Sequence, residues 1–179
     1  MKNPIGIHSL IWRGTWEPSD IEFTVESSNN LGFDILEIPL LNPYDFEIEY
    51  TKKTLSNKKI KAVTSLGLSH ETDISSEDPL VREKGVQLLF KALNVTHQLG
   101  SKYMGGVIYS ALKKYDLPPT KNAFSNSVNI IKGLCEEAKK NGVDVALSLS
   151  DTFCVIRHKK EFLNLITEFV NIVFCNELE

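Results

Sequence analysis

Apolar runs of strand length alternate with longer segments of helical periodicity almost from end to end of the chain. Ile5–Trp12 is a short run with β-branched residues. Pro18–Leu31 follows, with Ile21, Val25 and Leu31 near helical spacing and Gly32 as its stop. Phe33–Leu40 reads as a second strand, Asp45–Asn57 as a helix and Ile60–Leu68 as a third strand. Ser75-Ser76-Glu77-Asp78-Pro79 is a helix start: a serine caps, acids complement the helix amino terminus, and proline needs no N–H partner in the first turn. The helix it opens carries Leu88, Leu89, Ala92, Leu93, Val95 and His97 and stops at Gly100. Tyr103–Tyr109 is the fourth strand, with Gly105-Gly106 inside it. Asn122–Asn141 is a helix closed by Asn141-Gly142 as a left-handed cap. Val143–Leu149 is a fifth strand, Lys159–Glu168 a helix and Val170–Phe174 a sixth strand.

This order, (βα)₅β, predicts an α/β fold: a partial (β/α) barrel of about six parallel strands with outer helices and right-handed crossovers. The 179 residues suffice for one domain with a sizeable core but fall short of the ~250 of a closed eight-stranded barrel. Chemistry in such sheets gathers at the carboxyl ends of the strands. The segments to weigh are therefore Trp12–Trp16, Leu40–Tyr44, Gly67–Glu71, Gly106–Tyr115, Ser148–Phe153 and Cys175–Glu179.

Composition narrows the partners. Twenty basic residues against twenty-three acidic ones, with no basic block, give no electrostatic case for nucleic acid or an anionic membrane. No run approaches the ~18 apolar residues of a spanning helix, and Met1–Leu10 has no export pattern, so a cytoplasmic location is the expectation. Cys135, Cys154 and Cys175 are odd in number and lack CxxC spacing, which suggests neither a disulfide framework nor a zinc knuckle. GxGxxG, GxxxxGK[ST] and HExxH are all missing, which removes a Rossmann site, a P-loop and a zincin by their usual signatures.

Several residues each admit two readings. Trp12 and Trp16 follow the first strand, either as aromatic planes for the apolar faces of a sugar or as rings covering a helix or the barrel mouth. Gly67, and Gly105-Gly106 within a strand, suit close approach of a ligand to the backbone, or equally a strand exit and a sheet bend. His70 is a base, a metal ligand or merely a solvated loop residue. Glu37 is a carboxylate inside the apolar run FDILEIPL, and a structural ion pair is the simpler expectation for it. Glu37, His70 and Asp151 are the candidate metal ligands, although no spacing singles them out.

Beyond these features, IGIHSLIWRGTW, LGFDILEIPL, DISSEDPLVREKGVQLL, YMGGVIYS and SVNIIKGLCEEAKKNGV resemble the xylose-isomerase-like barrels, and within them the ketose 3-epimerases of tagatose and psicose type. The resemblance covers residues 1–145. It implies a sugar substrate and a divalent metal, Mn²⁺ or Mg²⁺, between two glutamates that move a proton on either side of C3 through an enediolate. It also implies sugar contacts at His8, Trp12, Trp16, Gly67, Leu68, Gly106 and Val107, with His8 standing where the family has an aromatic ring. At the fifth strand the family's metal-binding glutamate falls on Ser148, a neutral hydroxyl, and the later ligands are absent. Residues 146–179 resemble instead the adenosine-kinase branch of the ribokinase-like sugar kinases. That similarity includes an NxxE motif, Asn176 and Glu179, which in those kinases organises magnesium and phosphate.

Three functions stay open on these readings. The chain is a metal-dependent sugar epimerase type, truncated and impaired, or a fragment of a sugar or nucleoside kinase, or a non-catalytic carbohydrate-binding domain. An incomplete barrel would also leave its outer strand edges open to association between copies.

Overall fold

The computed structural model describes residues 3–114, 118–149, 152–157 and 159–176. Its strands are β1 (Gly6–His8), β2 (Ile35–Pro39), β3 (Lys61–Leu68), β4 (Met104–Ala111), β5 (Ala146–Ser148) and β6 (Ile172–Phe174). Between them lie α1 (Pro18–Asn30), α2 (Ile48–Lys58), α3 (Pro79–Gln98), α4 (Lys121–Lys140), α5 (Thr152–Arg157) and α6 (Lys159–Glu168). Every paired strand is parallel, as the alternation predicts. One expectation needs correction: the strands do not form one continuous ladder among the described residues. Strands β1-β2-β3-β4 make one sheet and β5-β6 a second. The Asp144 N–H donates to the Lys102 carbonyl at 2.9 Å, just ahead of β5 and β4. Beyond that bond the two strands part around an apolar gap of about 190 Å³ lined by Met104, Ile108, Leu147 and Phe169.

The helices cover one face. Leu36 and Ile38 of β2 are buried with Ile21 and Val25 of α1 and Leu55 of α2. Leu66 and Leu68 of β3 are buried with Leu89, Ala92 and Leu93 of α3 and with Leu134 and Ala138 of α4. Alternation along each strand therefore sends these residues to the helix layer and their neighbours to the opposite, inner face.

Local signals hold with small displacements. Strand one is short and gives way to a 3₁₀ turn over Ser9–Ile11, while α2 starts at Ile48 rather than Asp45. The α3 cap is Asp78, whose carboxylate accepts from the Leu80 N–H at 2.8 Å, and not one of the serines upstream. Thr120 caps α4. At its other end only Gly142 is left-handed (φ 68°); Asn141, at φ −90°, is not. The short helix α5 was not foreseen.

Candidate functional site

Parallel register stacks the inner-face residues in rows. His8, Glu37 and Val63 are direct cross-strand neighbours, as are Pro39, Ser65 and Gly105 one step higher, and Gly67 and Val107 above them. On this inner face Gly67 and Gly105 are exposed, His8, Glu37, Val63 and Val107 are half-buried, and Ser65 is buried.

The two adjacent glycines of β4 do different work. A Cβ on Gly105 would meet nothing within 4 Å, so its place on the floor is open. A Cβ on Gly106 would lie 2.1 Å from the Leu66 carbonyl oxygen, and φ there is 111°. Gly106 thus serves the close approach of β3 and β4 backbones, where the ladder also shifts register after Gly67. Of the two readings open for the pair, the sheet bend belongs to Gly106 and the open surface to Gly105.

Glu37 is half-exposed and has His8 as its neighbour, in line with an ion pair. His8 Nε2 stands 3.5 Å from its Oε1, with both side chains about 40% exposed (39% and 41%). The Leu10 N–H donates to His8 Nδ1 at 3.1 Å, which fixes the ring proton on Nε2, facing the carboxylate.

The tryptophans are tied to helices. Trp12 Nε1–H donates to Ser28 Oγ of α1 at 3.0 Å. Trp16 Nε1–H donates to Thr51 Oγ1 of α2 at 3.1 Å, and its ring stacks on Phe46 with centroids 6.3 Å apart. Leu68 is buried on the helix side. The structure thus gathers His8, Gly67 and Val107 on the inner face with Glu37, sets Leu68 on the helix side and Gly106 at the β3–β4 approach, and ties the indole N–H groups of Trp12 and Trp16 to α1 and α2. His70 opens an exposed 3₁₀ turn. Ser148 ends β5 opposite Phe174, and Asn176 is exposed. Asp151 and Glu179 lie outside the described residues.

Sequence reasoning missed a buried knot at the ends of β3 and β4. Asp73 Oδ1 accepts from the Ser75 N–H (2.9 Å), the Ser75 hydroxyl (2.7 Å) and the Ala111 N–H (3.1 Å), while Lys114 Nζ reaches Oδ2 and Ser75 Oγ. Burial pushes the Asp73 carboxyl up, but the Lys114 ammonium and the Ser75 bonds outweigh it and hold the group below the usual carboxylate range. The available signal was an acid two residues ahead of a serine, the spacing of a side-chain-closed turn. A largely apolar cleft of about 900 Å³ opens beside this knot, lined at one end by His70, Ser75 and Lys114 and running along α4 past Phe124 and Ile131 to Phe169.

No protein-family model matches the chain. It is 38% identical over 149 residues to a ketose 3-epimerase of Arthrobacter globiformis, covering 83% of this chain and 52% of that protein. It is 34% identical over 173 residues to an L-ribulose 3-epimerase of a Methylomonas species, covering 97% of this chain and 58% of that one. The chain therefore spans a little over half the length of the curated relatives it matches. Among solved structures, the D-allulose 3-epimerase of a Methylomonas species in complex with D-allulose superposes with a TM-score of 0.81 at 32% identity, over 88% of this chain and 58% of that one. Because the second relative aligns through residues that resemble a ribokinase-like segment, the kinase reading of residues 146–179 is corrected. Sequence and fold together relate this chain to the ketose 3-epimerases, whose xylose-isomerase-like barrel it carries in part.

Proposed function

We propose that the chain is the sugar-facing part of a ketose 3-epimerase type of protein, able to hold a ketose on the inner face of β1–β4 and impaired in epimerising it. The observation that carries this reading is the 38% identity over 149 residues to a ketose 3-epimerase. The opening 145 residues build the floor that holds His8, Glu37, Ser65, Gly67, Gly105 and Val107. Such a floor suits a polyol: small residues leave room for the ring, and polar groups at one side select its hydroxyls.

The catalytic side of the reading rests on donor chemistry. Moving a proton on each face of C3 needs a base on each side and a cation or fixed donors to hold the enediolate charge. Among the described residues no three His, Cys, Asp or Glu side chains converge. At the fifth strand the chain offers the neutral hydroxyl of Ser148 where the resemblance implies a glutamate. The described donor set does not fit Mn²⁺ or Mg²⁺, so no step is routed through a metal here. In this reading the described residues of the inner face bind and orient a sugar.

The test pairs binding with turnover. D-Allulose, D-fructose and D-tagatose should bind saturably, and none should be converted at C3 with added Mn²⁺, before or after chelation. Failure of all three to bind would overturn the sugar reading. Robust, chelator-sensitive epimerisation would overturn the assignment of Ser148 to the ligand position.

A further inference from the structure

We infer that the cleft along α4 is a binding site for a small, uncharged and mainly apolar molecule that presents one carbonyl oxygen to the Lys114 ammonium. The site is independent of the ketose reading and uses none of the residues assigned to the inner face.

At about 900 Å³ the cleft lies within the range of pockets that hold small organic ligands. Its apolar wall comes from Phe124 and Ile131 of α4, Leu165 of α6 and Phe169 just past the end of that helix. Ile131, Cys135, Leu165 and Phe169 also line the smaller gap between β4 and β5, so the apolar ends of the two cavities share one wall. A ring or short chain laid there takes these side chains out of water, Phe124 above all, which is exposed.

Most polar groups along the cleft already have partners. The Thr120 hydroxyl donates to Glu77 Oε1 and accepts from the Ala123 N–H, and the Ser127 hydroxyl donates to the Tyr109 carbonyl. At the knot, buried Ser75 donates its hydroxyl to Asp73 and accepts from Lys114. The Lys114 ammonium has three N–H donors and gives two of them, to Asp73 Oδ2 and Ser75 Oγ. Among the described residues the third has no acceptor. This end of the cleft therefore calls for one acceptor oxygen, and charge decides its kind. Lys114 faces the Asp73 carboxylate at 2.5 Å, so the pair is neutral as a whole. The other charged side chains of the lining, Glu77 and Lys132, are one of each sign. A carboxylate placed on the same ammonium would lie against Asp73 in largely apolar surroundings and be repelled. A neutral carbonyl accepts the free N–H without that repulsion.

The probes are three molecules of one shape: 4-phenylbutan-2-one, which carries a carbonyl; 3-phenylpropionate, with a carboxylate in its place; and butylbenzene, with neither. Binding to the full chain is followed by calorimetry and by the rate at which iodoacetamide alkylates Cys135, with exposed Cys175 as the internal control. The ketone should bind saturably and, at about ten times its Kd, slow alkylation of Cys135 about tenfold while leaving Cys175 unchanged. The carboxylate should bind more weakly by about tenfold or more. D-Allulose, whose hydroxyls this apolar wall cannot satisfy, should not protect Cys135. Lys114→Met should weaken the ketone about tenfold, the lower end for a hydrogen bond to a charged group, and leave butylbenzene unaffected. Ile131→Trp, which fills the apolar end, should abolish binding of both. Circular dichroism and urea midpoints establish that the variants are folded; where one is not, the contrast among the three probes on the parent chain decides. Absence of saturable ketone binding, or binding that leaves Cys135 as reactive as before, would overturn the site. Equal affinity for ketone and carboxylate, or full ketone affinity in folded Lys114→Met, would overturn the placement of a neutral carbonyl on Lys114.

Discussion

Removing the carboxylate at Asp73 tests whether the ends of β3 and β4 are held by the buried knot. Asp73 is 3% exposed and Ala111, one of its donors, 2%. In Asp73→Ala the N–H groups of Ala111 and Ser75 both lose their acceptor inside the protein, at about 1–3 kcal/mol each. Lys114, whose side chain is 40% exposed, regains water instead and adds little. The expected loss is about 3–5 kcal/mol, allowing for non-additivity among groups that share one acceptor. Asp73→Asn keeps an oxygen for the two N–H groups and loses only the charge, so about 1–2 kcal/mol is expected. Urea unfolding read by circular dichroism gives the order parent, Asn, Ala. The pH dependence has a definite sign. Because the folded state holds Asp73 below its ordinary value of 3.8, the charged form's contribution is complete above that value and is lost as pH falls through the lower folded one. The gap between parent and Asp73→Asn should therefore be constant from neutral pH to about 5 and close below about 4. Equal midpoints for all three proteins at pH 7, or a gap that widens on acidification, would refute the account.

Other substitutions probe backbone contacts. Gly106→Ala should cost about 3 kcal/mol or more, from the left-handed φ and the 2.1 Å approach to the Leu66 carbonyl, whereas Gly105→Ala next to it should stay within about 1 kcal/mol of the parent; equal midpoints for the two would count against the assignment. Gly85→Ala should destabilise by about 1–3 kcal/mol despite alanine's better helix propensity, since its Cβ would lie 2.2 Å from the Thr72 carbonyl; a rise in thermal midpoint would show that the 70–74 turn yields freely. Ser148→Glu should not bring epimerase turnover, because one added carboxylate does not supply the second base; turnover gained by that change alone would contradict the donor argument.

What could be read in the sequence follows from the range of the forces involved. The strands were legible because a buried parallel sheet needs continuous apolar runs such as FDILEIPL, and the helices because one face must meet that sheet. A serine was expected to cap α3, but Asp78 does, and Ser75 is claimed instead by Asp73 in a knot completed by Ala111 and Lys114, more than thirty residues away. No local propensity encodes that competition. The parting of β4 from β5 was equally hidden, since periodicity tells that a strand exists and not which edge it joins. The tryptophans show the same limit: two rings after a strand suit a sugar or a helix, and only the positions of Ser28 and Thr51 decide where their N–H groups go. The short ribokinase-like similarity misled for a different reason, as about 35 residues of strand and helix are shared by many parallel α/β chains.

Glu37 marks the boundary between the two kinds of information. A carboxylate among Ile35, Leu36 and Ile38 calls for a partner wherever it is buried; here Glu37 is half-exposed and stands beside His8. The partner's identity came only with the β1–β2 register, which sets His8 opposite it. A shift of one residue in that register would send His8 to the helix side and leave the acid facing an isoleucine, so the pairing is itself a check on the strand alignment. The same register fixes which positions share the floor: Ser65 with Gly105, and Gly67 with Val107. Residues 6–8, 35–39, 61–68 and 104–107 thus act as one surface whose polar edge is the His8–Glu37 row and whose open centre is glycine.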